Sequence, residues 1–450
     1  MNEANLAHMK NPRTVAIAGA GIAGMTAAYF EAVKGHQVYL IEPAKRPGGL
    51  LQTDITPFGS FDYGTHVGTF SGIEMLDDFL FGGATRENFC FFNPGLSGNF
   101  YAGTLSEIGP FVDTRLMDDK LRQKAELELL NPSLSSGATN LEELITERFG
   151  PTIYREVFSS VVQKFMGCDA AILSAEMINL FDMNRILAFD SGTSERLKTD
   201  ERYDTSLGYH YPHPGSQKIY PRTGGMGYWI EFLMAKLAQV GVTFLGYTKI
   251  ENISHSGGQV THLDVGDKTL QVDELIWSVA PALFSKHVSF SASFPSPKFR
   301  KTALYDFSFQ KPFSTKCYYI NVYDSAKISG RITLYPNLTP ESEYHSCTVE
   351  VLAGDDFGFE NATESIYDEL RSMGIVDSDN PCVHQFTRAV GHGFPLPELN
   401  YTAQTVTQSA AMDAKFSNVL FIGRAPGRFF MKDVLTHVYQ SLFQGRTSDS

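Results

Sequence analysis

Apolar and polar positions divide the chain into short strands and amphipathic helices. Val15–Ala18 is an apolar run with no polar face, the pattern of a central parallel strand buried on both sides. From Ile22 to about Lys34, Ala23, Ala27 and Ala28 fall on one side, which predicts a helix with a small-residue face against a sheet. "QVYLIE" predicts a second strand ending in Glu42, and "GSFDYGTHVG" reads as a hairpin-like segment. Apolar residues at 3–4 spacing predict helices in "NLEELITERFGPTIYREVFSSVVQKFMG" and across Tyr228–Gln239. "TKCYYINVY", "GRITLYP" and "HSCTVEVLAG" read as strands, with the amphipathic helix "TESIYDELRSMGI" beside them. The C-terminal "NVLFIGRAPGRFFMKDVLTHVYQSLFQG" reads as strand, turn and helix.

Between the first strand and the first helix stand Gly19, Gly21 and Gly24. Gly19 permits the tight turn, Gly21 lets a pyrophosphate approach the backbone, and Gly24 lets the helix pack on the strand. The helix N-terminus, with Ile22 and Ala23, offers unpaired N–H groups and a positive dipole end to phosphate oxygens. Glu42 lies about 20 positions further on, where a carboxylate receives ribose hydroxyls. The spacing therefore predicts a dinucleotide site rather than an export or membrane segment.

A net charge of −13 argues against a general nucleic-acid or anionic-membrane binder. The 5 cysteines are widely spaced with no CxxC, which points away from zinc or a redox pair and toward reduced thiols in the cytoplasm. The first thirteen residues are polar and no uninterrupted apolar window reaches membrane-spanning length, so neither a signal peptide nor a span is expected. No metal site is predicted, and no oligomeric state is assigned.

After Glu42, "PAKRPGGLLQTD" and "FGSFDYGTHVG" replace the βαβ alternation of a nicotinamide dehydrogenase. With "IYPRTGGMGYWIEFLMAKLAQVGVTFLGYTKIENI", "DELIWSVAP" and the C-terminal element, the chain resembles the FAD-dependent amine oxidase and protoporphyrinogen oxidase superfamily, which includes UDP-galactopyranose mutase. The resemblance implies an α/β fold with a GR2-type, Rossmann-like FAD-binding domain assembled from residues 12–75, 215–295 and 395–446. It implies a mostly helical insert over 76–214 and a mixed substrate domain whose sheet, over 296–394, roofs the flavin. FAD would be held without a covalent bond, by Gly19, Gly21, Ile22, Ala23, Gly24 and Glu42, then Arg46, Gly48, Gly49 and Leu50. Gly64, Thr65 and His66 would pass near the isoalloxazine, with Ile250 and Ala280 on the adenine side. Gly423, Arg424, Asp433 and Val434 would bring a helix N-terminus to the flavin.

On the substrate side, His66 matches the flavin-proximal histidine of the mutases, and Arg185 falls near their diphosphate-binding arginine. Both are candidate catalytic residues; each also has a plain structural reading. Arg222, Arg331 and Arg388 are further anion-binding candidates with the same alternative. Two features depart from the family. Both tryptophans, Trp229 and Trp277, lie in segments assigned elsewhere, and the order "FFMKDVL" differs from that of the mutases. The first expectation is an oxidoreductase taking a hydride from a C–N or C–C bond of a small organic substrate onto flavin N5. The alternatives are a redox-neutral sugar-nucleotide isomerase and a non-catalytic FAD-stabilised scaffold.

Overall fold

The computed structural model describes all residues except 1–10, 93–94, 132–136, 213–216, 291–293, 297, 355, 426–427 and 444–450, with the backbone alone for 391–394. Its centre is a five-stranded parallel sheet. β1 (Thr14–Ala18) lies in the middle, with β2 (Gln37–Glu42) and Thr243–Gly246 on one side and Glu274–Trp277 and Val419–Phe421 on the other. Val15, Ala16 and Ile17 are fully buried, as a strand covered on both faces requires. α1 (Ile22–Val33) follows β1 and packs its alanines, also fully buried at Ala27 and Ala28, against the sheet.

The hairpin-like segment expected over Gly59–Gly68 does not close on itself: its first residues, as β4 (Gly59–Asp62), pair upstream with β3 (Thr53–Thr56), and these two strands form a hairpin. This hairpin caps the helix Gly225–Gln239, whose own N-cap, Gly224, has no side chain to offer. Asp62 Oδ1 accepts the amide of Met226 at 2.9 Å, and Thr53 Oγ1 accepts that of Gly227 at 2.8 Å. Two helix-terminal N–H groups are thereby satisfied from a distant part of the chain.

A second sheet has seven strands, in the order Cys382–Leu396, Lys298–Phe309, His345–Ala353, Arg331–Leu334, Tyr319–Val322, Ser97–Tyr101 and Thr104–Ser106. Its sides differ, as strand alternation dictates. Tyr305, Phe307, Val349, Val351, Ile332 and Leu334 pack with Ile366 and Leu370 of the helix Thr363–Ser372. The opposite face carries Asp306, Thr348, Glu350, Arg331, Thr333, Tyr319 and Asn321. Arg388, Leu304, Glu350, Arg331, Asn321 and Asn99 stand in one register row across six strands.

Several elements differ from the sequence reading. The two longest strands, Lys298–Phe309 and Cys382–Leu396, were not anticipated. The stretch between Phe89 and Ser106 forms strands that join two sheets, although it lies in the region read as largely helical. The long helical pattern after Asn140 is broken after Phe149, where Gly150 takes φ +95° and Pro151 opens the next turn. Ile250 begins a separate three-stranded antiparallel sheet rather than continuing into the central one. Among the described residues, no helix is long and apolar enough to cross a membrane.

Candidate flavin site and its substrate face

The glycine turn divides into crowded and open positions. A Cβ on Gly24 would lie 1.9 Å from the carbonyl oxygen of Gly19, and one on Gly19, at φ +95°, would meet Ser278 Oγ at 2.7 Å. A Cβ on Gly21 would meet nothing within 4 Å. The backbone is exposed where a ligand would approach and closed where helix and strand touch. α1 has no side-chain cap and no acidic residue in its first turn, so the N-terminal amides of Ile22 and Ala23 are not neutralised by the protein.

Glu42, at the end of β2, accepts the amide of Ala20 at 2.8 Å and that of Ala44 at 2.9 Å. Gly48 donates to the carbonyl of Ala20 at 2.7 Å and takes φ +111°, while Gly49 takes φ +60°. Glu42, the double glycine and the glycine turn thus form one rim. Leu50 is 45% exposed beside it, and Arg46 reaches out to Thr53 and Asp54. On the far strand Gly423, at φ +98°, has Ser278 O 2.9 Å from where a Cβ would stand. The Arg424 that follows is surface-exposed yet ringed by protein, and this desolvation lowers its pKa. Asp433 and Val434 lie in the first turns of the helix Met431–Phe443. Ala280 caps the helix Pro281–His287 and accepts Trp277 Nε1 at 3.2 Å.

An open glycine turn, a carboxylate at the strand end, a second glycine loop on the rim and an unpartnered helix N-terminus suit a dinucleotide.

The segment Tyr63–His66 runs against the polar face of the seven-stranded sheet. Thr65 donates its amide to Glu350 Oε1 at 2.8 Å and its hydroxyl lies against Thr333. Glu350 also holds Arg331 through both oxygens, at 3.0 Å each. Burial pulls the Glu350 carboxyl up, but Arg331 and the Thr65 donors outweigh it and hold the pKa below the usual range. Burial takes His66 down to about 4; Glu350 opposes that shift, while Arg331 and Arg424 add to it. The imidazole is therefore neutral at pH 7. Arg331 lies over the ring of Phe181. Phe181 and Asp182 both take left-handed backbone, with φ of 49° and 53°, and Asp182 accepts Tyr319 Oη at 3.0 Å and Asn321 Nδ2 at 2.7 Å. Two consecutive non-glycine residues in that region store strain beside a site.

Arg185 is placed otherwise than expected. Its Nη1 donates to the main-chain carbonyls of Asp204 and Leu207, and its guanidinium stacks on Tyr209. It clasps two turns of the insert rather than presenting an open anion contact. Arg222 pairs with Glu341, Arg331 with Glu350, and Arg388 with Asp306. The sequence reading missed Glu350, Thr333, Asp182 and Tyr319. One signal was available for Glu350: a lone carboxylate inside an otherwise apolar and hydroxylic strand. Among the described residues, no group of three or more His, Cys, Asp and Glu could hold a metal.

Residues 17–77 match the family of NAD(P)-binding Rossmann-like domains. The L-amino-acid oxidases of Bothrops pauloensis and Pseudechis australis are each 48% identical over 48 residues, which is 11% of this chain. The chain spans only about a tenth of the length of these curated relatives, 10% and 9% respectively. Solved structures match along nearly the whole chain. Reduced UDP-galactopyranose mutase is similar with a TM-score of 0.76 at 15% identity, over 97% of this chain and 96% of that one. A putative protoporphyrinogen oxidase from Exiguobacterium sp. follows at 0.69 and 14%, over 96% and 98%. A redesigned putrescine oxidase gives 0.62 and 14%, over 96% and 98%. Identities this low speak for the fold. In fold, the chain is similar to reduced UDP-galactopyranose mutase, a putative protoporphyrinogen oxidase and a putrescine oxidase, and its residues 17–77 form a Rossmann-like dinucleotide-binding unit.

Proposed function

We propose that the protein is an FAD-dependent oxidoreductase that removes a hydride from a C–N or C–C bond of a small organic substrate. The observation that carries this reading is the open glycine turn, with its second glycine loop on one rim and a neutral histidine at the far end. Bound non-covalently, FAD would supply the two-electron acceptor. The α1 N-terminus and Gly21 would hold its pyrophosphate, and Glu42 its ribose. Gly48 and Gly49 would let the chain follow the cofactor closely. Arg424 and the Met431–Phe443 helix would face it from the C-terminal strand.

On the substrate face the sheet contributes hydroxyls and ion pairs that are already closed among themselves. With Arg331 held by Glu350 and Arg185 held by carbonyls, neither is a ready diphosphate clamp, which favours a small substrate over a sugar nucleotide. His66, neutral at pH 7, can accept a proton from a substrate N–H or C–H as the hydride leaves. Thr65 and Glu350 fix the segment that carries it.

One observation supports a second reading, a redox-neutral sugar-nucleotide isomerase: the similarity to the mutase runs along 97% of the chain. A steady-state assay separates the two, because only an oxidoreductase consumes an electron acceptor stoichiometrically. The purified protein is expected to be yellow and to release intact FAD on acid or heat treatment. Finding NAD instead, or no nucleotide, would overturn both readings. A flavin spectrum perturbed by uridine diphosphate, with no acceptor consumed, would favour the isomerase.

A further inference from the structure

We propose that Arg388 is a positioning residue that fixes the segment Tyr63–His66, and with it the His66 imidazole, against the candidate site. The proposal rests on the flavin reading only for its effect on reaction rate.

Arg388 lies on the strand Cys382–Leu396 and is 7% exposed. It is held from behind by Asp306, with Nη2 to Oδ1 at 2.9 Å and Nε 2.6 Å from Oδ2 as an ion pair. Asp306 is itself fixed by Thr348, whose hydroxyl donates to Oδ1 at 2.6 Å. A guanidinium gripped in this way presents its remaining N–H groups in a set direction. They point at the hairpin. Nη2 donates to the Asp62 carbonyl at 3.1 Å, Nη1 lies 3.5 Å from the Phe61 carbonyl, and Nη1 donates to Asp54 Oδ2 at 3.2 Å. The plane of the guanidinium also lies over the ring of Tyr63, 4.6 Å from its centroid.

These contacts end where regular structure ends. β4 stops at Asp62, Gly64 takes φ +112°, and the next strand begins at Gly68. His66 sits in this unsupported stretch. One anchor precedes it, the Arg388 contacts to Asp62 and Tyr63. A second is immediately adjacent, the Glu350 contact to Thr65. Both anchors stand in the same register row of one sheet, each paired with Leu304. They therefore hold the segment at a fixed span. Asp62 carries the same constraint into the flavin-side domain, because its side chain accepts Met226 N, Thr53 Oγ1 and Tyr220 Oη. Arg388 thus reaches the site through main-chain carbonyls and touches no reacting atom.

The test must separate positioning from stability, since Arg388→Met alone leaves Asp306 buried and unpaired. The double variant Asp306→Asn/Arg388→Met removes both charges and is compared with Arg388→Lys and the wild type. The primary readout is the titration of the His66 imidazole by NMR in the full chain, which requires neither substrate nor cofactor. The double variant should titrate closer to the ordinary 6.5 than the wild type does, with Arg388→Lys in between. In FAD-loaded protein, the visible circular dichroism of the flavin should change and anaerobic reduction should slow by roughly 10²-fold, the cost of a misplacement of about 1 Å. A folded double variant whose His66 titrates as in the wild type would overturn the proposal, whether or not FAD binds. Failure of the wild type to bind FAD would overturn the proposed function and leave the NMR result to decide this inference.

Discussion

Glu350 accepts the amide of Thr65 at 2.8 Å while gripping Arg331 with both carboxylate oxygens. One side chain therefore joins the sheet to the loop that carries the candidate proton acceptor. Glu350→Ala strips Arg331 of its partner in a largely buried setting and should cost about 3 kcal/mol of stability. Arg331→Met combined with Glu350→Ala should recover part of that loss. Urea unfolding of the wild type, the single and the double variant measures it; a double variant no more stable than Glu350→Ala would show that the loss does not come from an unpaired Arg331 charge.

The glycine turn makes opposite predictions three residues apart. Gly24→Ala places a methyl 1.9 Å from a carbonyl oxygen and should prevent the native packing of α1. Gly21→Ala has free space and an ordinary φ of −77°, so the apoprotein should fold with stability within about 0.5 kcal/mol of wild type. It should nonetheless lose FAD, because the methyl stands where the pyrophosphate must approach. A Gly21→Ala protein that retains FAD at wild-type affinity would remove the pyrophosphate from this turn.

Glu42→Ala should weaken FAD by about 2–3 kcal/mol, or about 30- to 150-fold in affinity, through loss of charge-assisted hydrogen bonds. The reactivity of reconstituted flavin should not change, because the ribose lies far from the ring. Titration of apoprotein with FAD tests both halves. An unchanged affinity would mean that Glu42 serves only the Ala20 and Ala44 amides it already accepts.

His66 makes a prediction with a definite sign. Its folded pKa, about 4, lies below its unfolded value near 6.5. Between those values the unfolded chain binds a proton that the folded site refuses, so stability falls as pH drops through the window. Asp62 acts in the other direction, since burial raises it from 3.8 to about 6 and the folded state takes up a proton first. Comparing the wild type with His66→Gln cancels the Asp62 contribution. The variant should lose less stability than the wild type from pH 6.5 to 4, as read from urea midpoints. Parallel profiles would show that His66 is solvated and normal.

The N-terminal strand, turn and helix were legible because each depends on local physics: an apolar run with no polar face, three glycines with distinct steric duties, and alanines on one side of a helix. The polar wall of the site was not legible, although its strands were partly visible. Ser346, Thr348 and Glu350 alternate with Cys347, Val349 and Val351 along one strand. Which half faces the core depends on the Thr363–Ser372 helix covering the other side, a tertiary fact. Phe89–Phe92 and Ser97–Tyr101 were hidden for the same reason, because they pair with Lys218–Pro221 and Tyr319–Val322, more than 100 residues away. Arg185 misled because its chemistry suits phosphate, while two main-chain carbonyls of its own insert reach it first.

The order of strands in the central sheet constrains how the protein can be made. β1 lies between β2, a near neighbour in sequence, and Glu274–Trp277, some 260 residues later, with Val419–Phe421 beyond that. A ribosome that has released only the glycine turn has made its sequence without its walls. Ser278, which bonds to the Ala18 and Gly19 carbonyls, and Gly423, which packs on Ser278, emerge much later. Long-range closure of this kind folds slowly and leaves apolar strands exposed in the meantime. On the proposed flavin reading, cofactor capture would be a late event in the biogenesis of this chain. A supply of dinucleotide at the end of synthesis should raise the yield of native protein more than the same supply at its start.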